Sequence, residues 1–134
     1  MAGNAEMDTQ LKLKFDANGL ITAIAVDVDN GDVLMVAFMN EAALQKTMQT
    51  GKATYWSRSR QKFWVKGEES GHVQTVQQIL IDCDQDAVIL KVKQHGAACH
   101  NGFRTCFYRA ITADGNLEFV QKQIVDPAAI YAKK

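Results

Sequence analysis

Proline is nearly missing from this chain. Pro127 is the only one in 134 residues, which excludes Pro-rich linkers. Excess charge is missing too. Fifteen Lys and Arg balance fifteen Asp and Glu, so no net field draws the protein toward nucleic acid or an anionic membrane surface. No apolar run approaches the roughly 20 residues of a membrane span. Met1 to Gln10 are polar and lack the apolar centre of a secretion signal. The expected location is therefore the cytoplasm, with no membrane partner. Cysteine is scarce and odd in number: Cys83, Cys99 and Cys106. An odd set without an export signal argues against a disulfide scaffold. What remains is ordinary globular material, 47% hydrophobic and 22% charged, enough to bury one core and too short for two.

The periodicities predict a single α+β domain with mostly antiparallel strands and a few short helices. Leu11, Leu13 and Phe15 alternate with Lys12 and Lys14, as in a strand. Ile21 to Val28 and Val33 to Phe38 flank Asp29-Asn30-Gly31-Asp32, a hairpin signal. Asn40 reads as a helix N-cap before Ala42, Ala43, Leu44 and Met48, with Gly51 as the stop. Strands are expected at Ala53 to Ser57, Phe63 to Val65, Val73 to Ile81 with a bulge near Gln77-Gln78, and Val88 to Val92. Phe107 to Ile111 and Leu117 to Ile124 complete the set around Asp114-Gly115-Asn116. Pro127 to Ala132 reads as a short helical end.

Charge is balanced overall but segregated along the chain. Residues 52–66 carry Lys52, Arg58, Arg60, Lys62 and Lys66 and no acid, whereas residues 68–90 carry Glu68, Glu69, Asp82, Asp84 and Asp86 and no Lys or Arg. A solvated face accounts for many such runs. The sharper reading is an anion site followed by a cation site. On an extended strand Asp82, Asp84 and Asp86 would share one face with Cys83 opposite, and three carboxylates together call for a hard cation such as Mg²⁺. An EF-hand is excluded, because Ala87 and Lys93 stand where that loop needs Gly and Glu. Three thiols are the right number for a catalytic zinc that keeps one position for water, although three inert buried thiols fit the count equally. His100 beside Cys99 is placed for proton transfer or for a structural hydrogen bond. Aromatic and basic residues mix from Tyr55 to Trp64, a composition that binds a nucleotide or a nucleic-acid strand. Lys66-Gly67-Glu68-Glu69-Ser70-Gly71-His72 reads as a ligand loop or a plain turn.

Taken in order, Met39-Asn40, Tyr55-Trp56-Ser57-Arg58-Ser59-Arg60, Trp64-x-Lys66-Gly67-Glu68, Ser70-Gly71-His72, Asp82-Cys83-Asp84-x-Asp86, Gln94-x-Gly96-x-Ala98-Cys99-His100 and Cys106-Phe107 resemble the phosphoribosyl-AMP cyclohydrolases of histidine biosynthesis. The likeness covers residues 15–109, within one domain spanning 1–134 whose first ten residues read as a tail. Glu69, Asn101 and Thr105 depart from the family pattern without removing a metal ligand. The resemblance implies hydrolytic opening of the adenine ring of phosphoribosyl-AMP at N1–C6. It implies an intertwined homodimer and one zinc per subunit, held by Cys83 of one chain and Cys99 and Cys106 of the other. It implies Mg²⁺ at Asp82, Asp84 and Asp86. Within that framework His100 and His72 are the expected proton carriers. Arg58, Arg60, Lys62, Lys66, Trp56 and Ser70 are the expected substrate contacts.

Two other classes compete on the residues alone. A zinc-stabilised nucleic-acid-binding module would use the basic aromatic stretch, but the adjacent acids would repel a phosphate backbone. A thiol redox protein would need a low-pKa cysteine, and the chain has no Cys-x-x-Cys.

Overall fold

The computed structural model describes residues 5–7 and 9–128. Strand β1 (Ile21–Asp27) turns into β2 (Val33–Met39), and helix α1 (Glu41–Thr50) follows. Next come a hairpin of β3 (Thr54–Ser57) and β4 (Lys62–Val65), the long strands β5 (Gln74–Ile81) and β6 (Ala87–Gln94), and a second hairpin of β7 (Arg109–Ile111) and β8 (Leu117–Phe119). The main sheet has the order β2-β1-β6-β5. β1 runs parallel to β6, with Thr22 opposite Ala87 and Asp27 opposite Val92. The other four strand pairs are antiparallel. The α+β domain is therefore as expected, except for a parallel pair at its centre. Such long-range pairing leaves no mark on local periodicity.

Alternation decides which face is buried. Ile21, Ala23 and Ala25 of β1 and Val88, Leu90 and Val92 of β6 are all buried, and they share one cluster with Leu34, Ala43, Leu44 and Tyr55. Burying each large aliphatic side chain contributes about 2 kcal/mol. α1 starts where Asn40 Oδ1 accepts the Ala43 amide at 2.8 Å. It stops at Gly51, whose φ of 74° lets its N–H donate to the Thr47 carbonyl. The expected bulge lies between Val76 and Gln78.

Several expectations are corrected. Residues 11–15 form no strand. Leu13 and Phe15 do pack on the core, but the segment meets a turn rather than a strand: Lys12 N and Lys14 N donate to Oε1 and the carbonyl of Gln85. The last predicted strand stops at Phe119, because Ile124 and Val125 donate instead to the Gly102 carbonyl. Among the described residues there is one α-helix, with a 3-10 turn at Ala5–Met7. Pro127 and Ala128 are helical; the rest of the expected terminal helix, and part of the expected N-terminal tail, lie outside the described residues. No helix among the described residues is long and apolar enough to cross a membrane.

The segment after β6 is pinned to the β1–β2 turn by Arg104. Its guanidinium meets Asp27 and lies 3.0 Å from Asp32. Burial opposes the Asp27 charge, but the Asp29 amide, the Arg104 guanidinium and the Asn30 amide outweigh it, so the carboxyl sits below its usual value. Stability from a depressed carboxylate is present above its unfolded pKa and is lost as pH falls through the folded one. Asp27→Asn is expected to cost about 1.5 kcal/mol at neutral pH. The gap to wild type should narrow below about pH 4. Urea unfolding at both pH values checks this, and an equal loss at both would show that charge is not what Asp27 contributes.

Candidate active site and metal-ligating residues

A cavity of about 480 Å³ opens between the β3–β4 hairpin, the 66–72 loop and the 96–106 loop. Six of the residues singled out from the sequence line it: Arg60, Lys62, Lys66, Ser70, His100 and Cys106. Arg58 and Trp56 do not. They line a second cavity of about 420 Å³ with Asn40 and Gln61, where the Arg58 guanidinium lies 4.1 Å from the centre of the Phe38 ring. His72 lies on neither wall.

The 96–106 loop is built by its own backbone. Ala98 N donates to Arg104 O and Cys99 N to Phe103 O, both at 3.1 Å, and Cys106 N donates to Leu34 O at 2.7 Å. Phe103 stacks on Tyr108 with ring centres 3.8 Å apart, which ties the loop to the β7–β8 hairpin. The folding of this loop brings the Cys99 and Cys106 thiols close enough to perturb each other. Burial, and then Cys99 beside it, push the Cys106 thiol up to about 11, against the pull of the Lys66 ammonium. Lys66, expected to meet phosphate, turns inward and donates to the Ala98 carbonyl. Burial lowers its pKa, while Cys106 and Cys99 act in the opposite direction.

The aspartates sit in a tight turn between β5 and β6, not on the extended strand that alternation suggests. Gln85, with φ of 61°, makes the reversal. One oxygen from each of Asp82, Asp84 and Asp86 nevertheless lies within 4.8 Å of the others, and all three residues are exposed. Asp82 accepts the Asp86 and Ala87 amides at 2.9 and 3.2 Å. Hydrogen bonding to Asp82, then to Asp84, together with repulsion from both, raises Asp86 to about 6, while Asp82 is lowered. Cys83 lines a separate cleft with Glu6 and Lys14. The Glu6 carboxylate, then the loss of some hydration and Asp84, raise the pKa of this exposed thiol.

Both clusters suit cations. Two soft sulfurs that cannot both ionise side by side become good ligands once a divalent ion neutralises them. Three crowded carboxylates are relieved by a hard one. The three thiols do not, however, form one set within this chain. Among the described residues, only the aspartate triplet brings three metal-ligating groups together. Cys83 precedes β6 and Cys99 follows it. A strand of eight residues spans about 25 Å, whereas the sulfurs around one zinc lie about 4 Å apart.

The chain also matches known proteins over most of its length. The family model described as phosphoribosyl-AMP cyclohydrolase matches residues 35–108. The chain belongs to the phosphoribosyl-AMP cyclohydrolase family. It is therefore an enzyme. It is 59% identical to the phosphoribosyl-AMP cyclohydrolase of Methanococcoides burtonii, covering 94% of this chain and 98% of that one. It is 57% identical to that of Hyphomonas neptunium, covering 91% and 93%, and 56% identical to that of Rhodopseudomonas palustris, covering 92% and 87%.

The structure links Tyr55 and Gln94, named from the sequence only within motifs, through Gln74, which the sequence reading passed over. Buried Tyr55 donates to Gln74 Oε1 at 2.6 Å, and Gln74 Nε2 donates to Gln94 Oε1 at 2.9 Å. Gln94 Nε2 in turn donates to the carbonyls of His72 and His95, each at 3.1 Å. The available signal was two glutamines inside β-rich segments, where apolar residues are expected.

The 66–72 loop rests on Gly67. A Cβ there would lie 2.3 Å from His72 C and Val73 N, whereas one at Gly71 would meet nothing within 4 Å; both have φ of 81°. The backbone penalty of about 1 kcal/mol is thus shared, and only Gly67→Ala adds an overpacking cost of about 1–3 kcal/mol. Gly67→Ala is expected to unfold at lower urea than Gly71→Ala and to lose more activity. Equal midpoints would show that the loop yields freely.

Proposed function

We propose that this enzyme hydrolyses the N1–C6 bond of the adenine ring of phosphoribosyl-AMP, giving the phosphoribosylformimino aminoimidazole carboxamide ribonucleotide of histidine biosynthesis. The observation that carries the reading is the cavity on which Arg60, Lys62, Ser70, His100 and Cys106 converge in a member of this family. Its basic hairpin side suits a substrate with two phosphomonoesters, and Arg60 can pair with phosphate through two N–H groups. Ser70 offers a hydroxyl, and the exposed His100 can carry a proton to or from the ring. Lys66 is turned toward the thiols, where its charge would favour their ionised form. Arg58 and Trp56 border the neighbouring cavity, across the β3–β4 turn, and are placed for a more distant part of the substrate.

Cys99 and Cys106, with Cys83 of the partner subunit, would hold zinc, and Asp82, Asp84 and Asp86 would hold Mg²⁺. Zinc at such a site makes water a nucleophile near neutral pH. The separation along β6 favours a homodimer that completes each site from two chains. The exposed apolar side chains Ile111, Leu117, Phe119 and Ile124 are consistent with a partner, since contiguous apolar surface marks interfaces. A nucleic-acid module is disfavoured by the acidic turn, whose carboxylates would repel a phosphate backbone.

Two measurements test the proposal. Phosphoribosyl-AMP incubated with the protein, zinc and Mg²⁺ should show a time-dependent ultraviolet change that a zinc chelator abolishes and added Zn²⁺ restores. No change with folded, metal-supplied protein would defeat the activity. Cys83→Ala and Cys99→Ala chains, each inactive alone, should recover about a quarter of wild-type activity when mixed and refolded, because half the dimers carry one intact site. No recovery in verified mixed dimers would defeat the shared site.

A further inference from the structure

His72 was read from the sequence, with His100, as a proton carrier. The structure separates the two. His100 lies on the cavity wall and His72 does not. The His72 ring instead turns to the backbone of the loop that carries Cys99 and His100. Ala97 N donates to His72 Nδ1 at 3.1 Å, and the Ala97 carbonyl lies 3.2 Å from the same nitrogen. Ala97, Ala98 and Cys99 are all buried. The ring packs over Gly96 so closely that a Cβ there would fall 2.6–2.8 Å from its atoms. The residue is held from the other side as well. Its amide donates to Ser70 Oγ at 3.2 Å, and its carbonyl accepts from Gln94.

We infer that His72 is a positioning residue: its Nδ1 acts as a fixed acceptor that clamps the Ala97 amide and so sets the course of the loop through Cys99 to His100. An amide N–H is always a donor, and Nδ1 is the one acceptor recorded for Ala97 N among the described residues. A buried N–H left unpaired is costly and rare, more so than an under-satisfied carbonyl. The neutral ring therefore carries its proton on Nε2 and keeps the Nδ1 lone pair toward Ala97. The clamp is rigid because the chain of amides through Gln94 and Gln74 ends on Tyr55, which is fully buried. The consequence for catalysis rests on the proposed cyclohydrolase reaction, in which displacing a reacting group by about 1 Å can cost roughly 100-fold in rate.

An asparagine side chain can set an acceptor oxygen near the place of Nδ1 but cannot titrate. His72→Ala is expected to lose roughly 100-fold in kcat/KM. His72→Asn should recover most of that loss and keep the wild-type pH profile, at equal zinc content. His72→Asn as slow as His72→Ala, with a limb of the pH profile gone, would overturn the inference and return His72 to proton transfer. A second measurement needs neither a variant nor turnover. The ¹⁵N spectrum of the wild-type imidazoles should show His72 protonated at Nε2, and the Ala97 amide should exchange slowly with solvent. A His72 ring protonated at Nδ1, or fast exchange at Ala97, would also overturn it. Failure of wild-type turnover would defeat the proposed reaction instead, and the spectrum would still decide the clamp.

Discussion

The eight residues of β6 hold apart two clusters of candidate metal ligands. At the start of the strand lie the aspartates and Cys83. At its end lie Cys99, His100 and Cys106. β6 is hydrogen-bonded on both sides, parallel to β1 and antiparallel to β5, and Val88, Leu90 and Val92 anchor it in the core. It cannot shorten or bend to bring its ends together without giving up two ladders and the centre of the cluster. A zinc that uses all three thiols must then take them from two molecules. On the proposed reading, assembly and metal binding would be one event, because a ligand bound only by the assembled form stabilises that form. The parallel β1–β6 pair is thus more than an oddity of topology. It makes β6 a central strand and so keeps the two ends of the site at a set distance.

The electrostatics at the two ends follow one logic with different elements. At the far end, carboxylates crowd in a turn open to solvent and raise Asp86 toward neutrality. At the near end, thiols crowd under partial burial, and Lys66 supplies some of the missing positive charge. Each cluster is least comfortable without a cation, and each offers atoms of the matching hardness. Proteins seldom gather like charges without something to answer them. The neutral total hides this, because the opposing charges lie in separate stretches of chain and are not mixed over the surface.

How far the residues announced this structure depended on the range of the interaction involved. The N-cap at Asn40, the left-handed stop at Gly51, the β1–β2 hairpin and the bulge near Gln77 are decided within a few positions, and they are where the sequence put them. The strand expected at residues 11–15 failed for want of a partner. Alternation reports which side chains face inward, and Leu13 and Phe15 do, but it cannot report whether another backbone lies alongside. The same gap let Asp82, Asp84 and Asp86 be placed on an extended strand. Gln85 turns the chain there, yet the carboxylates still meet. The site was legible as a list of residue types. Its partition was not: nothing in the spacing shows that Lys66 faces the thiols, that Arg58 looks into a separate cavity, or that His72 turns from the cavity toward Ala97.

That last distinction depends on two glutamines, Gln74 fully buried and Gln94 half-buried beside it. Gln74 and Gln94 occupy strand positions where aliphatic residues would pack without the need for partners. A buried amide is tolerated only when its donors and acceptors are met. Here they are met in series, from Tyr55 through Gln74 and Gln94 to the backbone of residues 72 and 95. A series of this kind stabilises little in net terms, since each bond replaces one to water. What it supplies is direction: every member has one satisfactory orientation, and the last members sit at the entrance to the loop that carries Cys99 and His100. Replacing both glutamines with leucine would leave the buried Tyr55 hydroxyl without its acceptor, at a cost of about 1–3 kcal/mol. The His72 and His95 carbonyls would then lose their donor, and the loop that holds two of the three thiols would have more than one way to lie.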